Sequence, residues 1–157
     1  MGRLVTMNQS SQPAIRRVEE SPSFIRVHFD ADPVAAAQIR SELRIWLERH
    51  FGPDDERVSD VLLAVYEAIA NAVEFAYLGR PETGTVEVCA TRESDRLTVT
   101  VSDRGRWRWP TVDPDEPSPA SRLRGRGIPL MKSLADEATI HTSDTGTRVH
   151  LVWTGLH

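Results

Sequence analysis

Glu67 and Asn71 lie one helical turn apart inside a long apolar run, which sets a carboxylate and a carboxamide on the same face of a helix. Placed at about 100° per residue, Val58, Val61, Leu62, Val65, Ile69, Ala72 and Ala76 form one apolar stripe, with Asp60, Glu67, Asn71 and Glu74 opposite. Leu63, Ala64, Ala70 and Phe75 flank the polar stripe, so its groups are not expected to meet bulk water freely. Buried carboxylates and amides need partners. A magnesium ion carrying a phosphate-bearing ligand would supply them, since Asn offers a neutral oxygen ligand and Glu an acceptor able to take a proton. The plainer account is the solvated side of an amphipathic helix, and the rest of the chain has to decide between the two.

Three more clusters could do chemistry. In Val99-Thr100-Val101-Ser102-Asp103-Arg104-Gly105 an apolar strand ends in an acid followed by a glycine. An Asp there can accept a hydrogen bond from an amino group such as that of adenine, and Gly105 lets backbone approach a flat ligand closely. Arg124-Gly125-Arg126-Gly127-Ile128-Pro129-Leu130-Met131 sets two glycines before a helix start, where free backbone N–H groups can take a phosphate. Arg122, Arg124, Arg126 and Lys132 add positive charge to it. The third cluster, Gly146-Thr147, is by itself a turn.

The elements that position these clusters can be read in outline. Residues 1–22 are polar and aperiodic, which predicts a mobile N-terminal arm, with order and a single domain over 23–157. Phe24, Ile25, Val27 and Phe29 predict a first strand, and Asp30 or Asp32 before Pro33 a capped helix running to about residue 50. Gly52-Pro53 ends it, Asp54 and Asp55 open the helix of Glu67 and Asn71, and Gly79-Arg80-Pro81 closes that one. A hairpin follows, Thr85 to Thr91 and Arg96 to Ser102, joined through Glu93 to Asp95. Residues 110–124 hold Pro110, Pro114, Pro117 and Pro119 and predict a long loop of the kind that serves as a lid. A helix over 128–135 and a closing hairpin, Ala138 to Thr142 and Thr147 to Trp153 with its turn at Asp144-Thr145-Gly146, complete the chain. Hairpin-connected strands with helices gathered on one face make a two-layer α/β sandwich with a mixed, mostly antiparallel sheet.

Composition narrows the functional classes. The 157 residues carry 19 basic and 23 acidic side chains, a net charge of −4, so there is no general polyanion-binding character and nucleic acid is not the expected partner. Interleaved Arg104, Arg106, Trp107, Arg108 and Trp109 could stack on single-stranded nucleic acid, but the acidic balance argues against it. The lone Cys89 suits a reducing compartment, and no stretch approaches the ~20 apolar residues of a membrane span. With no signal-peptide centre in residues 1–22, a cytoplasmic location and no membrane partner are expected.

Taken in order, the Glu-x-x-x-Asn helix, strand-Asp-x-Gly, proline-rich lid, Gly-x-Gly-helix and Gly-Thr-strand resemble the Bergerat-type ATP-binding fold of the GHKL superfamily over residues 24–154. Within it the chain is most similar to the bacterial anti-sigma factor serine-protein kinases. Glu67-Ala68-Ile69-Ala70-Asn71-Ala72 resembles the N box, Asp103-Arg104-Gly105 the first glycine box, and Gly125 to Met131 the second. The resemblance implies ATP and Mg2+ as cofactors, with Glu67 the general base toward a serine hydroxyl and Asn71 the magnesium ligand. It implies that Asp103 meets the adenine amino group, that Gly105 allows close approach to the purine, and that Thr147 supports the adenine side. Gly125 and Gly127 would offer N–H groups to the phosphates, and Arg122, Arg124 or Arg126 would reach the terminal phosphate from the lid. It further implies an anti-anti-sigma protein as substrate, a sigma factor held inactive, and a homodimer. Phe75 stands where the family commonly has histidine and Trp107 where it has a second glycine, the latter bearing on the shape of the purine pocket. A non-catalytic protein of the same fold that sequesters a regulator is the alternative, and Glu67 favours catalysis. A sensor histidine kinase fits less well, for want of a helical hairpin bearing a phosphoacceptor histidine.

Overall fold

The computed structural model describes residues 3–6, 15–51, 56–75, 84–104 and 129–156. Strands β1 (Arg3–Thr6), β2 (Ile15–Ser21) and β3 (Phe24–Asp30) lead into helices α1 (Pro33–Phe51) and α2 (Glu56–Phe75). Two hairpins follow, β4 (Thr85–Glu93) with β5 (Arg96–Asp103) and β6 (Glu137–Ser143) with β7 (Gly146–Trp153). Between the hairpins lies a short helical segment over 129–134.

Local chemistry accounts for these boundaries. Asp32 caps α1, its Oδ1 accepting from the amides of Val34 at 2.8 Å and Ala35 at 3.3 Å, while Pro33 occupies the first helical position, where no donor is needed. Ala35, Ile39, Leu43, Trp46 and Leu47 then recur at helical spacing and are buried together. In the first hairpin, Ser94 adopts a positive φ of 56°, as a tight two-residue connection requires.

The described strands form one seven-stranded sheet in the order β1-β2-β3-β4-β5-β7-β6. Every pairing among them is antiparallel. Inward residues alternate along each central strand: Val86, Val88 and Ala90 on β4, Leu97, Val99 and Val101 on β5, and Val149, Leu151 and Trp153 on β7. Both helices pack on that face, α1 against β3 and α2 against β5 and β4, and make the second layer.

The two-layer α+β sandwich is thus the one the sequence predicts, but the described sheet is antiparallel throughout where a mixed, mostly antiparallel one is expected, and the N-terminal stretch differs. Order does not begin at Ser23: β1 and β2 fall within the stretch expected to be a mobile arm, and β2 is paired with β3 from Ile15 to Ser21. Its charged residues obscured it: Val18, at 3 % exposure, stands between Arg16-Arg17 and Glu19-Glu20 in the sequence. The predicted third helix is shorter, 129–134. The lid expected over 110–124 and the helix ends at 52–55 and 76–81 lie outside the described residues.

Candidate functional site

The direction of α2 decides which sequence clusters meet. At its N-terminal end, Arg57 donates to the Thr154 carbonyl and pairs with Asp136 at 2.9 Å, fixing that end beside the last residues of β7 and hence beside the start of β5, where Leu97 pairs with Trp153. Fourteen residues later, about 21 Å along the helix at ~1.5 Å per residue, comes Asn71. Over β5 the chain covers a matching ~23 Å, at ~3.3 Å per residue, from Arg96 to Asp103. Asn71 therefore arrives at the level of Asp103. The last turns of α2 agree, for Ala70, Val73 and Glu74 line a hollow together with Ala31 and Pro33, just past the end of β3. There Ala31 bonds the Gly84 carbonyl at 2.8 Å, at the start of β4, and Val86 of β4 pairs with Asp103.

At this end of the sandwich three polar side chains are buried against the helices. Asp103, 7 % exposed, and Thr147, 2 % exposed, are direct cross-strand partners on β5 and β7, and Asn71 is 4 % exposed on α2. Asn71 Nδ2 and Thr147 Oγ1 find no hydrogen-bond partner among the described residues. A buried polar group left unmade costs about 1–3 kcal/mol, so these atoms point to something that binds here. Glu67, one turn before Asn71, is half-buried. The polar stripe of α2 is therefore graded, from exposed Glu74 through half-buried Asp60 and Glu67 to buried Asn71, and is not a uniformly solvated face.

Gly146 makes the contact between β5 and β7 possible. A Cβ there would overlap the Asp103 carbonyl oxygen and stand 3.0 Å from the Arg104 Cα, and its φ of 151° suits glycine. Sequence alone reads this residue as an ordinary turn glycine. The signal that marks it is its place directly before the buried Thr147.

A family model described as the histidine kinase-like ATPase domain matches residues 29–153, from the end of β3 to the end of β7 and across the whole candidate site. The chain belongs to this family. It is 28% identical over 129 residues to a protein of Staphylococcus epidermidis named serine-protein kinase RsbW, covering 75% of this chain and 80% of that one. To the serine-protein kinase RsbW of Staphylococcus aureus strain bovine RF122 it is 29% identical over 118 residues, covering 68% and 74%. Among solved structures it is similar to the RsbU and RsbW domains of Rv1364c from Mycobacterium tuberculosis, with a TM-score of 0.61, 28% identity, and coverage of 82% of this chain and 32% of that longer one.

Within the histidine kinase-like ATPase domain, the structure thus brings Asp103 and Thr147 into contact and Asn71, with Glu67 behind it, to the same end. Carboxylate and carboxamide oxygens, an unpaired amide N–H2 and an unpaired hydroxyl form a donor set suited to a cation on one side and a hydrogen-bonding heterocycle on the other. The other sequence-predicted site residues, Gly105, Arg124, Gly125, Arg126 and Gly127, lie outside the described residues. So do Trp107 and Arg122.

Proposed function

We propose that the chain is an ATP-dependent anti-sigma factor serine/threonine-protein kinase, which transfers phosphate to an anti-anti-sigma protein and sequesters a sigma factor, working as a homodimer in the cytoplasm. The observation that carries this reading is the buried, unpaired Asn71 Nδ2 and Thr147 Oγ1 beside Asp103, at one end of a histidine kinase-like ATPase domain. The similarity to proteins named serine-protein kinase supports the choice of chemistry. No helix among the described residues is long and apolar enough to cross a membrane.

In this proposal Asn71 holds Mg2+ through its amide oxygen, and the ion, when bound, supplies neutralising charge to the phosphates of ATP. Glu67 accepts the proton of the attacking serine hydroxyl, a task that suits a half-buried carboxylate one turn away on the same face. Asp103 accepts from the adenine amino group, Thr147 supports the same edge, and Gly105 allows the purine to approach. Gly125 and Gly127 present backbone N–H groups to the phosphates, and Arg124 and Arg126 add charge-assisted donors.

Calorimetric titration with ATP, with and without magnesium, tests the site. Wild type is expected to bind in a magnesium-dependent manner and Asn71→Ala to lose at least about tenfold in affinity, about 1.4 kcal/mol. Glu67→Gln is expected to keep nucleotide binding and to lose on the order of 10²–10⁴ in phosphoryl transfer to the anti-anti-sigma protein. Full transfer by Glu67→Gln would remove Glu67 as base, and an absence of Mg-ATP binding by wild type would overturn the nucleotide reading altogether. Binding of ATP and sigma factor without transfer would leave a sequestering protein of the same fold, which the Trp107 departure favours.

A further inference from the structure

One face of the sheet is covered by α1 and α2, and the opposite face is lined by polar side chains. There, a hollow of about 880 Å3 is lined in part by His28 of β3, Glu87 of β4 and His141, Arg148 and His150 of the last hairpin. Glu87 is already engaged, lying 3.0 Å from His28 and 3.8 Å from Arg26. Arg148 and His141 are cross-strand partners, and His150 stands two residues further along β7. These three therefore sit within about 5–8 Å of one another along the backbone. Among the described residues none of the three side chains has an ion-pair or hydrogen-bond partner. The result is a local basic patch on a chain of net charge −4.

The patch adjoins an open sheet edge. Among the described strands β6 pairs with β7 alone, and it does so over its whole length, Glu137 to Ser143, without a register shift. Its outer side carries a row of backbone donors and acceptors with neither proline nor bulge to blunt it. Side chains along β6 divide by face. Ala138 and Ile140 pack partly against the core, while Thr139 and His141 stand with the patch. The acids at the start of the strand each face an arginine, Asp136 bonding Arg57 at 2.9 Å and Glu137 lying 3.9 Å from Arg96.

We infer that β6 is a docking edge for an extended segment of a protein partner in which apolar and acidic residues alternate. Backbone pairing with β6 supplies affinity, apolar side chains of the segment continue the layer of Ala138 and Ile140, and its carboxylates meet His141 and Arg148 across the edge. The charge selects against a second copy of the chain, because pairing β6 with itself would bring two basic patches side by side.

The test uses the whole chain and a short synthetic peptide alternating valine and glutamate. Binding is read by calorimetry and by hydrogen exchange at the β6 amides. The expected result is saturable binding with new protection across residues 137–143, weakened about tenfold in Arg148→Glu. Arg148→Gln, a milder change at an exposed strand position, should show the same direction with a smaller loss. A valine–lysine peptide that binds equally well, or a glutamate peptide whose central N-methylation leaves affinity unchanged, would overturn the inference. So would a single-stranded oligonucleotide that competes for the patch without protecting β6. Concentration-dependent protection of β6 without any peptide would assign the edge to a second copy instead.

Discussion

Where β5 begins, polar groups ranging from buried to exposed answer one another. Trp46 donates to the Ser21 carbonyl at 2.9 Å, Arg92 to the His50 carbonyl at 2.8 Å, Trp153 to the Leu134 carbonyl at 2.9 Å, and Asp136 takes both Arg57 and the Thr154 amide. Where β5 ends, Asn71 Nδ2 and Thr147 Oγ1 are buried and have no answer within the described fold. The same sheet and the same α2 helix run through both ends, so the difference lies in what each end is for. One closes the domain with hydrogen bonds that cost little to keep, and the other holds polar groups open at a standing cost of about 1–3 kcal/mol each, which a ligand can remove.

The largest effect should come from emptying the closed end. Trp153 is fully buried, and its indole links β7 to the last residue of the short helix, so Trp153→Ala loses packing, leaves a cavity and orphans a carbonyl. A loss of about 3–5 kcal/mol is expected in urea denaturation, and a loss below about 1 kcal/mol would mean that this end is not the anchor. Next comes Gly146→Ala at the open end. Its methyl group would strike the Asp103 carbonyl, so β5 and β7 must part there. Destabilisation of about 1–3 kcal/mol is expected, together with loss of Mg-ATP binding on calorimetry. Wild-type nucleotide affinity in that variant would separate the strand contact from the site.

How far these two ends could be read from sequence depends on the range of the forces that shape them. The start of α1 is local, an Asp capping its own next residues, and Asp32-Pro33 predicts it directly. The hairpin at 93–96 is local too, and the alternation of Val86, Val88, Val99 and Val101 names the buried face. Glu67 and Asn71 were legible as a pair, but the burial of Asn71 was not, because a polar stripe on a helix ordinarily faces water. Nor could the sequence reveal that Asp103 and Thr147, 44 positions apart, are cross-strand neighbours, or that Gly146 is what lets them meet. β2 was hidden for a different reason: a strand near the sheet edge carries mainly charged residues on its solvated side and leaves too few apolar positions to show a period.

Acid titration gives a smaller effect, confined to the closed end. The Thr154 amide and the Arg57 guanidinium hold the Asp136 carboxyl below the usual carboxylate range. Its folded pKa is lower than its unfolded one, so it contributes stability above the unfolded value of about 3.9, and that contribution is lost as pH falls through the folded value. His50, half-buried near the cationic Arg49 and Arg92, has its pKa pushed down mainly by burial. The folded state therefore prefers the neutral ring, and stability declines as pH falls below the unfolded value of about 6.5. Thermal unfolding followed from pH 7 to pH 3 should show both steps, and Asp136→Asn should remove the lower one. Asp136 is exposed and His50 only half-buried, so each step is modest. An acid limb unchanged in Asp136→Asn would place the sensitive carboxylate elsewhere.

The smallest effect on folding, and the sharpest on the comparison, belongs to Thr147→Val. Valine keeps the shape of threonine and removes a buried hydroxyl that has no hydrogen-bond partner among the described residues. Replacing a satisfied buried hydroxyl costs stability, whereas removing an orphaned one relieves a desolvation cost. Urea denaturation without ligand should therefore show no loss, or a gain of up to about 1 kcal/mol, while Mg-ATP affinity falls. The two readouts must move in opposite directions, because the hydroxyl costs the empty fold what it returns on binding. A destabilisation of about 2 kcal/mol or more in the ligand-free protein would mean that Thr147 is satisfied from within the fold. The two ends of the sheet would then be alike, and the case for a ligand at β5 and β7 would rest on Asn71 alone.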